Sequence, residues 1–82
     1  MIYYFSAYWC SPCYAYGPIV EKVAKELGLL VSKIDVDEDS ATGWRYKVME
    51  IPTVLLVDEK GDEVKRLKYA KTEKELKDFL SS

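Results

Sequence analysis

The sequence predicts an α/β fold, a four-stranded mixed sheet with helices on both faces in the order β-α-β-α-β-β-α. Three observations carry that prediction. An aromatic, mostly apolar run at residues 2–6 leads straight into a helical apolar pattern. Two further β-rich runs are separated by a helix signal, and a turn after the second returns the chain as a hairpin. A capped amphipathic helix closes the chain. At 82 residues the expectation is one domain, 1–82, with a modest core, because small domains bury a smaller share of their surface.

Ile2-Tyr3-Tyr4-Phe5-Ser6 suits a strand covered on both faces. From Ser11 to Leu27 the apolar residues Ile19, Val20, Val23, Ala24 and Leu27 recur at helical spacing, and Gly28 stands where a left-handed cap would end the helix. Pro12 fits the first turn, where its missing N–H is harmless, whereas Pro18 falls inside and should bend the helix. Leu30 to Val36 reads as a second strand, followed by the acidic stretch Asp35 to Asp39. Ser40 to Lys47 reads as a short helix with Asp39 or Ser40 as cap and Trp44 as its large anchor. Thr53 to Asp58 is a third strand. Glu59-Lys60-Gly61-Asp62 turns it into Glu63 to Lys68, whose alternation suits a half-exposed edge. Thr72-Glu73-Lys74-Glu75 matches a capping box, after which Leu76, Phe79 and Leu80 share one helix face. The first β-α-β unit should pair strands one and two in parallel, with the hairpin adding two antiparallel strands.

The apolar share of 49% with 32% charged residues is ordinary for a globular protein, and seven tyrosines do not change that class. A net charge of −2 and a sequence pI of about 5.1 disfavour nucleic acid or an anionic membrane as partner, since both need clustered Lys and Arg. The amino-terminal MIYYFSAYW lacks the basic and long apolar segments of a secretory signal, and no apolar run approaches the ~20 residues that span a bilayer. A cytoplasmic protein is expected. No apolar excess demands a dimer, so a monomer is expected too. The charge-rich stretches Asp35 to Asp39 and Glu59 to Lys68 read as solvated edges and turns.

Both cysteines lie in Tyr8-Trp9-Cys10-Ser11-Pro12-Cys13. Tetrahedral zinc needs about four Cys or His ligands, and the chain has two cysteines and no histidine. A structural disulfide would close only a very small loop, which stabilises little, and would be unusual in a reducing cytosol. A redox pair fits best. Cys10 falls at or just before a helix N-terminus, where unpaired N–H groups and the helix dipole favour thiolate over thiol. Cys13, one turn along, should be more buried and keep its proton longer. Cys10 is therefore the expected nucleophile and Cys13 the resolving thiol.

From Ile2 to Leu80 the chain resembles the thioredoxin family. The likeness rests on Trp9-Cys10-Ser11-Pro12-Cys13, Pro18 five residues after the second cysteine, Lys33-Ile34-Asp35-Val36-Asp37, and Ile51-Pro52-Thr53, in family order and at family-like spacing. The resemblance implies a minimal thioredoxin fold and makes Pro52 a cis-proline facing the cysteines. Ile51 would then offer backbone hydrogen bonds to an extended substrate segment by strand addition. Ser11 and Pro12 would support the active-site turn, and Trp9 would shield the thiolate and touch substrates. Tyr8, Tyr14 and Tyr16 read as amphipathic packing around the first helix.

Four features depart from the family pattern. The chain starts at the family's second strand, a trimmed size like that of glutaredoxins and small archaeal thioredoxins. Ser11-Pro12 replaces the usual Gly-Pro. Tyr4 stands where the family carries a buried aspartate, and a phenol of reference pKa ~10 is a poor base near neutrality. Tyr4 and Lys33, the match to the aspartate's lysine partner, remain candidates for adjusting the cysteine pKa values. Tyr69 takes the place of a glycine beside the cis-proline loop, where a bulky ring should narrow the substrate groove.

The resemblance implies a protein-disulfide reductase acting through a mixed disulfide. It would bind no cofactor beyond its own dithiol and be recycled by a flavin-dependent thioredoxin reductase drawing on NADPH. A glutathione-recycled glutaredoxin is the nearest rival, but the Cys-Pro-aromatic-Cys motif and Gly-Gly pair of that group are absent. A non-catalytic binding module on the same fold is a rival of another kind, and the intact dithiol counts against it.

Overall fold

The computed structural model describes residues 1–82 as β1 (Ile2–Ser6), α1 (Ser11–Glu26), β2 (Val31–Asp35), α2 (Ser40–Arg45), β3 (Thr53–Val57), β4 (Glu63–Lys68) and α3 (Glu73–Ser81). The chain is α/β. Its four strands form one sheet in the order β2-β1-β3-β4. β1 runs parallel to β2, with Tyr4 opposite Lys33 and Ser6 opposite Asp35, and antiparallel to β3. β3 and β4 pair antiparallel as the hairpin. The segment carrying the cysteines therefore leaves the carboxyl end of an interior strand, where open α/β sheets build their sites.

Side chains alternate along β1 with period two and feed two cores. Ile2 and Tyr4 pack with Tyr16, Val20, Val23 and Ala24 of α1, Val54 of β3, and Leu76 and Leu80 of α3. Phe5 packs on the opposite face with Ile34, Leu55, Val57 and Tyr46, and half-buried Tyr3 lies against them. Both faces of β1 are covered, which is why its sequence is a continuous apolar run rather than an alternation.

α1 ends as its sequence requires. Gly28 has φ 71°, and its N–H donates to Lys25 O while the Leu29 N–H donates to Ala24 O at 2.8 Å. That is the paired pattern of a left-handed helix cap. The helix runs through Pro18, with Pro12 in its first turn. Asp39 caps α2, its carboxylate accepting the Thr42 N–H. Thr72 caps α3 by accepting the Glu75 N–H at 3.1 Å, and the Thr72 hydroxyl donates in turn to the Glu75 carboxylate.

Three expectations are corrected. Trp44 does not anchor α2, since it is 75% exposed. The anchor is Tyr46, just past the helix end, whose ring meets Tyr3 and Phe5 edge-on at 5.6 and 6.3 Å. Buried Gly43 and Tyr46, three residues apart, turn one side of α2 to the sheet and leave Trp44 on the other. Tyr16 is a core residue, 1% exposed, because with Val20 and Val23 it forms the i, i+4, i+7 stripe that faces the sheet. Tyr8 and Tyr14 are exposed. Finally, the acidic and charge-rich stretches are not merely solvated. Asp35, Asp37 and Asp39 each accept specific hydrogen bonds, and Arg66 donates to Tyr46 O at 2.6 Å while pairing with Glu63.

Candidate active site

Cys10 is the N-cap residue of α1 and Cys13 lies in its first turn. The two are joined by a disulfide, with Cα atoms 5.3 Å apart. The turn is built from the backbone: the Cys10 N–H donates to Ala7 O at 3.1 Å and the Cys13 N–H to Cys10 O at 3.2 Å. Exposed Ser11 and Pro12 span the gap. Pro12, the second helical residue, presets a first-turn φ without leaving a donor unpaired. The first turn of α1 holds no acidic residue, so nothing on the helix itself offsets the positive end of its dipole beside the Cys10 sulfur.

The expected difference in burial between the two cysteines is small, with Cys10 6% and Cys13 4% exposed. Position in the helix, not exposure, is what distinguishes them. Both pack with Ala7, against Val36 and Ile51. The Ile51–Pro52 peptide bond is cis and Pro52 is buried. Ile51 precedes β3, and its backbone N–H and C=O take no hydrogen bond within the chain. Ile51 thus sets an apolar side chain against the disulfide and an unpaired N–H and C=O beside it.

Trp9 is 60% exposed, and its indole N–H donates to Asp37 Oδ2 at 2.6 Å. This bond ties the indole to the segment that follows β2. The sequence places Asp37 in the family-like Lys33–Asp37 run and in the acidic stretch but gives it no partner, because Trp9 lies 28 residues away. Tyr14 donates its hydroxyl to Tyr8 O at 2.6 Å and braces the loop from the other side.

Tyr69 donates its backbone N–H to Pro52 O at 2.7 Å and carries φ 68°, the region that glycine occupies without steric cost. Its side chain is 54% exposed. Tyr4 lies beneath α1. Its hydroxyl donates to Cys13 O at 2.7 Å, and burial, with a smaller contribution from Tyr16, pushes its pKa to about 12. It is a fixed donor to the backbone, not a base for a thiol. Lys33 reaches Glu21 at 2.8 Å, an exposed ion pair. Both border a cleft of about 350 Å³ whose walls also include Tyr4, Cys13 and Asp35. No group of three or more Cys, Asp or Glu side chains is arranged to hold a metal ion, and no helix is long and apolar enough to cross a membrane.

The thioredoxin family model matches residues 1–82. Thioredoxin from Bacillus subtilis is 46% identical over 55 residues, covering 65% of this chain and 53% of that protein. Mitochondrial thioredoxin from Mus musculus is 41% identical over 78 residues, covering 93% of this chain and 46% of its own length. Among solved structures, a mutant thioredoxin from Halobacterium salinarum superposes with TM-score 0.88 at 36% identity, covering 98% of this chain and 70% of that one. Thioredoxin 1 from Thermosipho africanus superposes with TM-score 0.86 at 29% identity, covering 98% and 89%. The chain spans about half the length of the first curated relatives it matches.

Proposed function

The chain belongs to the thioredoxin family, and from that premise we propose that it is a thiol–disulfide oxidoreductase that reduces protein disulfides. The observation that carries the reading is a disulfide-forming pair placed at the N-cap and first turn of α1, beside the unpaired backbone of Ile51.

In the reduced protein Cys10 attacks, because the positive end of the α1 dipole stabilises its thiolate. A substrate segment adds to the backbone of Ile51 beside cis-Pro52 and brings its disulfide to Cys10. Attack forms a mixed disulfide and releases one substrate sulfur as a thiolate. Cys13 then attacks Cys10 Sγ, closing the intramolecular bond and releasing the second substrate sulfur. Trp9, held by Asp37, contributes an apolar wall to the substrate site, and the Tyr69 ring narrows it.

The protein works in the cytoplasm as a monomer with no bound cofactor. Its disulfide is returned to the dithiol by a flavin-containing thioredoxin reductase fed by NADPH. Recycling by glutathione is not favoured, since neither glutaredoxin motif is present.

Substitution tests the roles. Cys10→Ser loses turnover in an insulin disulfide-reduction assay, and Cys13→Ser accumulates a covalent adduct with the substrate through Cys10. Full activity in Cys10→Ser would refute the mechanism.

A further inference from the structure

The resolving step needs a proton acceptor for Cys13, and Tyr4, the side chain directly beneath it, is not one. We propose that Asp35 is the proton-accepting carboxylate for Cys13, acting through water in the cleft that the two residues share. This rests on the dithiol reading above.

Four observations carry it. Cys13 and Asp35 both line the cleft of about 350 Å³, ample for several waters when one needs ~10–15 Å³. The parallel register sets Asp35 opposite Ser6, the last residue of β1, at the level where the chain leaves the sheet for the cysteine turn. Asp35 Oδ1 is held by the N–H groups of Asp37 at 2.8 Å and Glu38 at 3.2 Å. Its Oδ2 takes no protein partner, so the carboxylate is fixed in place with one oxygen uncommitted.

Apart from the Tyr8 phenol, which is 70% exposed, the other charged or titratable groups of the cleft are otherwise engaged or placed. From β1, the Tyr4 hydroxyl is spent on Cys13 O. Tyr14 of α1 donates to Tyr8 O. Glu21 of α1 pairs with Lys33 of β2 at 2.8 Å, and Lys33 is registered opposite Tyr4, two residues further from the cysteine turn than Asp35. Asp37 beyond the strand is bonded to the Trp9 indole.

The step balances as follows. With one substrate sulfur on Cys10 Sγ, the Cys13 thiol passes its proton through water to Asp35 Oδ2. The Cys13 thiolate attacks Cys10 Sγ, the Cys10–Cys13 bond forms, and the bond to the substrate sulfur breaks. The substrate leaves as a thiolate and takes a proton from solvent, to which Asp35 also returns its own. Two protein thiols have lost two electrons and the substrate disulfide has gained them.

Stopped-flow reaction of the reduced protein with the chromogenic disulfide 5,5′-dithiobis(2-nitrobenzoate) separates the two attacks. The first release of chromophore reports Cys10, and the second reports Cys13. Asp35→Asn keeps an acceptor oxygen for the two N–H groups and removes only the base. It should leave the first phase within about twofold and slow the second at neutral pH by roughly tenfold or more, below the ~10²–10⁴-fold of a directly placed base. The deficit should close above pH ~9, where a thiol of ordinary pKa ~8.5 ionises unaided. Glu21→Gln should leave the second phase unchanged. A second phase in Asp35→Asn that overlays the unmodified protein across the pH range would overturn the proposal. So would equal slowing of both phases, or an equal effect of Glu21→Gln. If the unmodified protein released only one equivalent of chromophore, the dithiol reading itself would fail, and this proposal with it.

Discussion

Tyr69 holds φ 68°, a conformation in which an L-residue's Cβ crowds the following carbonyl at a cost of roughly 1–2 kcal/mol. The half-exposed ring recovers little of that through packing. Tyr69→Gly should therefore raise stability by about 0.5–1 kcal/mol after glycine's extra backbone entropy is charged against it, a gain of a few degrees in Tm. Tyr69→Ala, which keeps a Cβ, should not. Thermal unfolding of the two variants checks the torsional account. The glycine variant should also turn over bulky protein disulfides faster than the unmodified protein, because the ring no longer narrows the groove. Slower or equal turnover would refute that role.

Single residues were legible in the sequence only where their chemistry is local. Cys10 at a helix start, Gly28 after the last helical turn and Thr72 before a glutamate three residues on all follow from spacing along the chain. The partners of Trp9 and Tyr4 do not. Asp37 lies 28 residues from Trp9, and the hydroxyl of Tyr4 finds a backbone oxygen that no motif marks. Asp35 gained its place from the parallel register, so its acidic neighbours made it look like part of a solvated turn.

At the scale of elements, helix phase was readable in proportion to helix length. α1 has 16 residues and α3 has nine, enough for Val20, Val23, Leu76 and Leu80 to define an inward stripe. α2 has six, fewer than two turns, too few to show its phase, and its largest side chain, Trp44, faces outward. α3 is held by burial of Leu76 and Leu80, worth ~1.5–3 kcal/mol for each such side chain. Its exposed pairs Lys22–Glu73 and Glu26–Lys77 to α1 add little in solvent. The cap matters more. Thr72→Ala leaves the Glu75 N–H without its acceptor and should cost about 1 kcal/mol. Chemical denaturation should show a lower midpoint with an unchanged slope. An unchanged midpoint would mean that α3 does not need its cap.

Across the whole molecule, one sheet joins the cysteine turn to the Ile51–Pro52 segment. β1 delivers the chain to Cys10, β3 begins immediately after Ile51 and Pro52, and the two strands are hydrogen-bonded neighbours. The parallel pairing of β1 with β2 and the antiparallel hairpin were readable from the β-α-β connection and the turn residues, whereas the order β2-β1-β3-β4 was not. Which side chains meet at the carboxyl end of the sheet required the register. On the proposed function this arrangement passes electrons from a reductase to protein disulfides. Its most direct test is NADPH oxidation in the presence of a thioredoxin reductase, this protein and insulin. NADPH consumption should depend on all three and be lost in Cys10→Ser. A disulfide that stays oxidised under these conditions, yet is reduced by glutathione and glutathione reductase, would contradict it.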